Sequence, residues 1–185
     1  MNLRQLSILA ALAPAVAHAQ VAAKVAEPPP HPRAGLGVEL GFGVVRSGDL
    51  PDGWAGRLMY HLMPALPAPH RVGALFDLAI GYEYWRSGPG TWGTDLPAEL
   101  ELGIRVPGVR AELGVGFDAM LLDQVHGDTG FGLWAPLASA TAGIDLWHVT
   151  LMADARVTRR WQLGADDHTQ WMFTLGLGYT EEPPR

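Results

Sequence analysis

The chain of 185 residues contains no cysteine. That absence removes disulfides, metal–thiolate sites and thiol nucleophiles together. Beyond its start it also lacks any long unbroken apolar run. No internal stretch therefore reads as a membrane-crossing helix, which needs about 20 such residues. Bases are few, with 13 Lys+Arg against 19 Asp+Glu and a formal net charge of −6. An acidic chain argues against a nucleic-acid partner, which would want a basic surface. Its G-x-G runs are followed by no helical pattern, and a phosphate-cradling loop would need one.

What is present at the start is an export signal. Residues 1–19 read MNLRQLSILAALAPAVAHA. Arg4 supplies a positive n-region, Leu6–Ala17 an apolar h-region, and Ala17-His18-Ala19 an A-x-A cleavage site. The apolar stretch is too short for a transmembrane anchor. Cleavage would leave Gln20 first and, with Arg4 gone, a mature formal charge of −7. The mature length suits one domain. Small exported domains often depend on disulfides, so this one must be held by backbone hydrogen bonding and burial. Residues 20–33, QVAAKVAEPPPHPR, carry a proline cluster that favours an extended chain and are expected to form a periplasmic lead-in.

From residue 34 onward the charges fall on one side of a two-residue alternation. In VRAELGVGFDAML (109–121), Val109, Ala111, Leu113, Val115, Phe117 and Ala119 share one parity, and Arg110, Glu112, Gly114, Gly116 and Asp118 the other. Successive side chains of a strand point to opposite faces, so one face is apolar and the other charged or glycine. The pattern recurs. Segment 34–46 turns Leu36, Val38, Leu40, Phe42 and Val44 one way and Glu39 the other. Segment 54–63 separates Trp54, Leu58, Tyr60 and Leu62 from Arg57 and His61. Segment 71–86 opposes an apolar row, Val72 to Tyr84, to Asp77 and Glu83. Segment 94–105 opposes Leu96, Ala98, Leu100, Leu102 and Ile104 to Glu99, Glu101 and Arg105. Segment 146–159 opposes Trp147, Val149, Leu151, Ala153, Ala155 and Val157 to His148, Asp154 and Arg156. Segment 171–180 places Trp171, Phe173, Leu175, Leu177 and Tyr179 on its apolar face.

Segment 131–142 has no clear parity, and Pro136 points to a bulge or break there. Two connections are expected to be tight, Pro107-Gly108 and Gly143-Ile144-Asp145. The proline-rich stretch 64–70 is expected to interrupt pairing.

No helices are available to cover the apolar faces. The economical solution is an all-β, closed, antiparallel, up-and-down transmembrane barrel of about eight strands, with lipid outside and a polar interior. Connections after the first, third, fifth and seventh segments are polar and mostly longer, which assigns them to the external side. Trp54, Tyr84, Trp134 and Trp171 then sit at external ends, and Tyr60, Trp147 and Tyr179 at periplasmic ends, as an aromatic girdle. Aromatics packing a sandwich core would instead cluster mid-strand.

With this pattern over residues 34–180, the chain resembles the small eight-stranded outer-membrane barrels of the OmpA/OmpX type. The resemblance rests on architecture and implies outer-membrane lipid and the barrel-assembly machinery as partners. It also implies a terminal aromatic that helps that machinery recognise the last strand. Here the last strand ends on Tyr179, with TEEPPR (180–185) after it.

The inward set defines the candidate site, a lumen charge network of Glu39, Arg57, Asp77, Glu83, Glu99, Glu101, Arg105, Arg110, Glu112, Asp118, Asp154 and Arg156. Charges in a confined lumen should pair or hold water. An eight-stranded interior is normally filled by side chains. A salt-bridged, closed lumen is thus expected, with a narrow cation-preferring pore as the alternative. Inward glycines such as Gly41, Gly114 and Gly176 are expected to make room for Arg and Glu. The loop clusters Asp123/His126/Asp128 and Asp166/Asp167/His168 lack a recognised ligand spacing and read as solvated loops. Only Ser47, Ser87 and Ser139 could serve a Ser–His–acid lipid-modifying site, and no enzyme, cofactor or metal is assigned. A soluble lipocalin-like barrel would need an apolar cavity rather than this charged one. The expected role is structural or surface-interacting, in the outer membrane after export through the periplasm. The external ligand is open.

Overall fold

A computed structural model describes residues 33–48, 50–67, 71–125, 128–132, 134–160 and 168–181. The signal segment, all but the last residue of the lead-in, His126, Asp166 and Asp167 lie outside the described residues. The strands are β1 (Arg33–Ser47), β2 (Gly53–Leu66), β3 (Gly73–Arg86), β4 (Trp92–Val106), β5 (Val109–Val125), β6 (Asp128–Gly130), β7 (Ala135–Leu146), β8 (Val149–Arg160) and β9 (His168–Glu181). Each long strand pairs antiparallel with its neighbour in sequence, and β1 pairs with β9 to close the ring. Eight strands thus form an up-and-down barrel, with β6 a short addition folded back on β5. Among the described residues, closure leaves no open edge except at that hairpin. The long strands run from 12 to 17 residues, more than the roughly 9–11 that a bilayer-crossing strand needs.

Alternation explains why these segments are strands. Seven of the eight sequence segments face as their parity predicts. Leu36, Leu40, Phe42, Ile80, Leu102, Leu113, Val115, Leu175 and Leu177 project outward and exposed, while the acidic and basic residues between them are buried. The segment without clear parity becomes β7. It turns Ala138, Ala140, Ala142 and Ile144 outward, and Leu137, Ser139 and Thr141 inward. Small alanines outside and a leucine inside blur the hydropathy contrast, so the period is real but carries little signal.

Five sequence expectations change. Pro64 does not end its strand, because β2 continues to Leu66. The ladder shifts register between Leu62 and Ala65, and a bulge accommodates a residue that lacks an N–H donor. The tight turn expected at 143–145 lies instead at Trp147-His148, since Leu146 pairs with Val149. Trp147 takes a φ of 62° there and is 95% exposed. It is a turn-tip residue rather than a strand residue. His148 is likewise exposed in that turn rather than turned inward, with its ring 6.1 Å from Tyr179. The loop expected at 123–130 is mostly ladder, with Asp123 opposite Gly130. At the other two-residue turn, Gly108 follows Pro107 with φ 80°, which suits a glycine after proline.

The interior is not uniformly polar. Val45, Ala55, Trp85 and Met172 form an apolar cluster near the end that bears the long connections. Met63, Leu66 and Leu75 form another near the opposite end. The charged residues occupy the length between and around them.

Candidate functional site: the barrel interior

All twelve residues of the expected lumen network are buried and face inward. Each large inward side chain needs space, and the register often supplies it with glycine across the ladder. Gly41 stands opposite Arg57, Gly37 opposite His61, Gly114 opposite Glu101 and Gly103 opposite Glu112. A Cβ on Gly41 would come within 3.0 Å of Arg57 Cγ.

The guanidiniums bridge walls of the barrel. Arg57 on β2 donates to Glu39 Oε1 on β1 through Nη2 at 2.6 Å and Nε at 2.9 Å. Its Nη1 crosses to Asp154 Oδ1 on β8 at 2.7 Å. Arg156 on β8 donates to Glu83 on β3 and to Glu99 on β4. Its Nη1 also lies 3.8 Å from Asp118 Oδ1 on β5. In the ring order, β8 and β3 are diametrically opposite, so this pair spans the lumen. Hydroxyls complete the arrangement. Ser139 donates to Glu99 at 2.5 Å, Thr141 to Asp154 at 2.9 Å and Thr158 to Asp118 at 2.8 Å.

A further level lies nearer the long connections, and the sequence reading missed it. Arg160 donates to Asp95 on β4, to Asp123 Oδ2 on β5 at 2.9 Å and to Gln170 Oε1 on β9 at 2.9 Å. Its Cζ also sits 5.1 Å from the Trp85 ring centroid on β3, a cation–π distance. Asp95 shares the parity of Glu99 and Glu101, so a signal for it existed. Arg160 and Asp123 fell in presumed loops because the ladders run beyond the apolar stretch. Asp123 is thus a buried ion-pair partner rather than a member of a solvated loop cluster.

Toward the short turns, Arg105 donates to Asp145 Oδ2 at 2.8 Å and to the Pro67 carbonyl at 2.9 Å. Arg110 Nε lies 3.8 Å from both Glu112 and Asp145. His61 Nδ1 lies 2.6 Å from Asp77 Oδ2, and its Nε2 is 3.6 Å from Glu39 Oε2. The interior cations other than His61 are all arginine. Their planar forks can satisfy two carboxylates at once, which a lysine ammonium does less well.

The outer surface carries aromatic residues toward both ends, while Trp85 is buried inside. Phe42, Trp54, Tyr84 and Trp92 form a ladder across β1 to β4, with ring centroids 5.8, 5.3 and 6.3 Å apart. Trp171 is exposed on the same end of β9, and Trp134 is exposed just before β7. Tyr60 and Tyr179 project outward toward the other end, both opposite Val38. Trp92, which precedes the apolar alternation of 94–105, opens β4 and belongs to the aromatic ladder.

A closed eight-stranded barrel, apolar outside and ionic inside, is the fold of the small outer-membrane barrel proteins. Among solved structures, the chain is similar to the crystal structure of Neisserial surface protein A (NspA), with a TM-score of 0.56 and 12% identity over 79% of this chain and 96% of that one. It also matches Ail, the attachment invasion locus protein of Yersinia pestis, solved with the heparin analogue sucrose octasulfate. There the TM-score is 0.43 and the identity 12%, over 80% of this chain and 99% of that one. No family model matches the chain, and no curated protein matches it in sequence.

Proposed function

We propose that the protein is an integral outer-membrane barrel with a structural or surface-interaction role and a lumen closed by its own charge pairs. The outer face carries this reading. Large apolar side chains project along the length of six of the eight long strands and at one end of β7 and β8, with Leu113 70% and Leu175 72% exposed. A soluble monomer rarely exposes a contiguous apolar surface of that extent, whereas a bilayer requires one. Aromatics toward both ends of the barrel suit the two membrane–water interfaces. Ion pairs that span the lumen, together with apolar clusters near each end, support closure.

The buried acids favour a second reading, a narrow cation-preferring pore. Among the described residues, ten carboxylates are buried against five guanidiniums. A lipid-modifying enzyme has less support. Ser139 is committed to Glu99, Ser87 donates to the Pro51 carbonyl, and Ser47 is buried.

Two measurements test this. The mature protein should fractionate with the outer membrane and migrate differently on SDS gels before and after boiling. Recovery as a soluble periplasmic monomer without detergent would overturn the architecture. In planar bilayers the folded protein should give no steady single-channel conductance. Cation-selective steps that vanish on neutralising Glu99 and Glu101 would favour the pore.

A further inference from the structure

Asp77 on β3 and Glu101 on β4 are direct cross-strand partners, and both are buried. Two like charges placed opposite each other in a ladder repel, and burial in a confined interior sharpens the repulsion. Elsewhere in this lumen such acids receive a guanidinium. Here no arginine forms an ion pair with either of them among the described contacts. Instead His61 on β2 stands beside Asp77. One ligand atom from each of His61, Asp77 and Glu101 lies within 4.8 Å of the other two.

A second observation points to a missing partner. His61 Nε2, Asp77 Oδ1 and Glu101 Oε2 are all buried without a hydrogen-bond partner. Buried polar atoms are nearly always satisfied, and an unsatisfied group in a folded protein commonly marks an unseen water or ion. These atoms belong to the same three side chains that the 4.8 Å cluster brings together on three adjacent strands. Glu39 Oε2 and Glu112 Oε2 are also unpartnered. Glu39 approaches His61 at 3.6 Å, and Glu112 sits opposite Gly103, two residues along β4 from Glu101.

We propose that His61, Asp77 and Glu101 form a binding site for a divalent transition-metal ion inside the barrel, on the wall made by β2, β3 and β4. The donor set sets the class. Imidazole with carboxylates suits Zn²⁺ and its first-row neighbours, whereas Ca²⁺ and Mg²⁺ prefer oxygen alone. Zinc holds such ligands at about 2.0–2.2 Å, so binding would draw the three side chains inward and replace the 2.6 Å contact between His61 Nδ1 and Asp77 Oδ2. The ion would also offset part of the surplus of buried acid. Because the site lies inside a closed barrel, loading is expected during folding rather than afterwards.

The test is to refold the full mature chain in detergent with Zn²⁺, and separately with Co²⁺. Excess ion is then removed by desalting and chelator, and bound metal is counted by elemental analysis. The proposal expects one ion per barrel and a Co²⁺ d–d absorption band typical of mixed nitrogen and oxygen ligands. Glu101→Gln and His61→Gln should each lower the apparent affinity at least tenfold, while the surface variant Asp52→Asn leaves it unchanged. Two separate ligand variants are used so that a folding failure in one leaves the other to decide, with folding monitored by heat-dependent gel migration. Substoichiometric metal in the folded wild type would overturn the site. So would undiminished binding in a folded ligand variant, or tighter binding of Ca²⁺ than Zn²⁺.

Discussion

Two levels of the same lumen handle acid in opposite ways. Around Arg156, three carboxylates from β3, β4 and β5 surround one guanidinium, and Ser139 and Thr158 supply further donors to two of them. Around His61, the carboxylates of Asp77, Glu101 and Glu112 each keep an oxygen without a partner, whereas of the three acids around Arg156 Asp118 does so. Residue types and burial are alike at the two levels. What differs is the strand that brings the cation. β8 carries Arg156 and Arg160 on its inward face, two positions either side of Thr158. At the His61 level β2, β3 and β4 bring in a single histidine. The difference shows that a buried acid's role in a barrel is decided by its cross-lumen partner, not by its own strand.

The largest effect should come from breaking the arginine-paired level. Arg156→Met removes the cation and leaves Glu83, Glu99 and Asp118 buried together. Breaking a buried pair by deleting one partner costs about 3–5 kcal/mol. Reversible unfolding in lipid vesicles should show a loss in that range. A loss below about 1 kcal/mol would mean that water already screens these groups and that the lumen is wetter than its ion pairs imply.

Whether either level was visible beforehand depends on what alternation can report. Parity tells which face a side chain takes, and Glu39, Arg57, Asp77, Glu83, Glu99, Glu101, Glu112 and Arg156, which share the charged parity of their strands, are all buried. It cannot tell which strands stand opposite each other across a ring, because that follows from closure and register. The Arg156–Glu83 contact joins residues 73 positions apart and has no local signature. The Arg160 level was missed for a different reason. Apolar contrast fades beyond the lipid-contacting length, so the upper ends of β5 and β8 looked like loops. β7 was ambiguous because alanine outside and leucine inside nearly cancel. Pro64 misled because a bulge can absorb a proline that regular pairing could not. Trp147 kept the apolar parity of the strand that follows it while standing in the turn.

The comparison between faces is sharpened by a change on the outer side. Leu113 on β5 is 70% exposed and lies next to buried Glu112. If that surface meets lipid, Leu113→Arg should destabilise the folded barrel by about 2–4 kcal/mol at the bilayer midplane. The same vesicle unfolding assay measures it. If the change were tolerated, the outer face would be facing water, and a soluble barrel would fit better.

The smallest effect should come from the acid-rich level itself. Glu112→Gln keeps size and polarity and removes one negative charge. Among the described contacts the cation it loses is Arg110, and that contact is long, at 3.8 Å. Arg110 keeps an equally distant Asp145 and a 3.2 Å contact to Met152 Sδ. Against that small loss stands relief of repulsion among Asp77, Glu101 and Glu112, since like charges in one site oppose each other's ionisation. In metal-free protein the net change should be no more than about 1 kcal/mol in either direction, within the range of a single modest hydrogen bond. Measured beside Arg156→Met, it separates the two levels directly. A cost for Glu112→Gln approaching that of Arg156→Met would mean that the lower acids are already paired as tightly as the upper ones. The contrast between the two levels would then be lost, even though every side chain still faced as its parity requires.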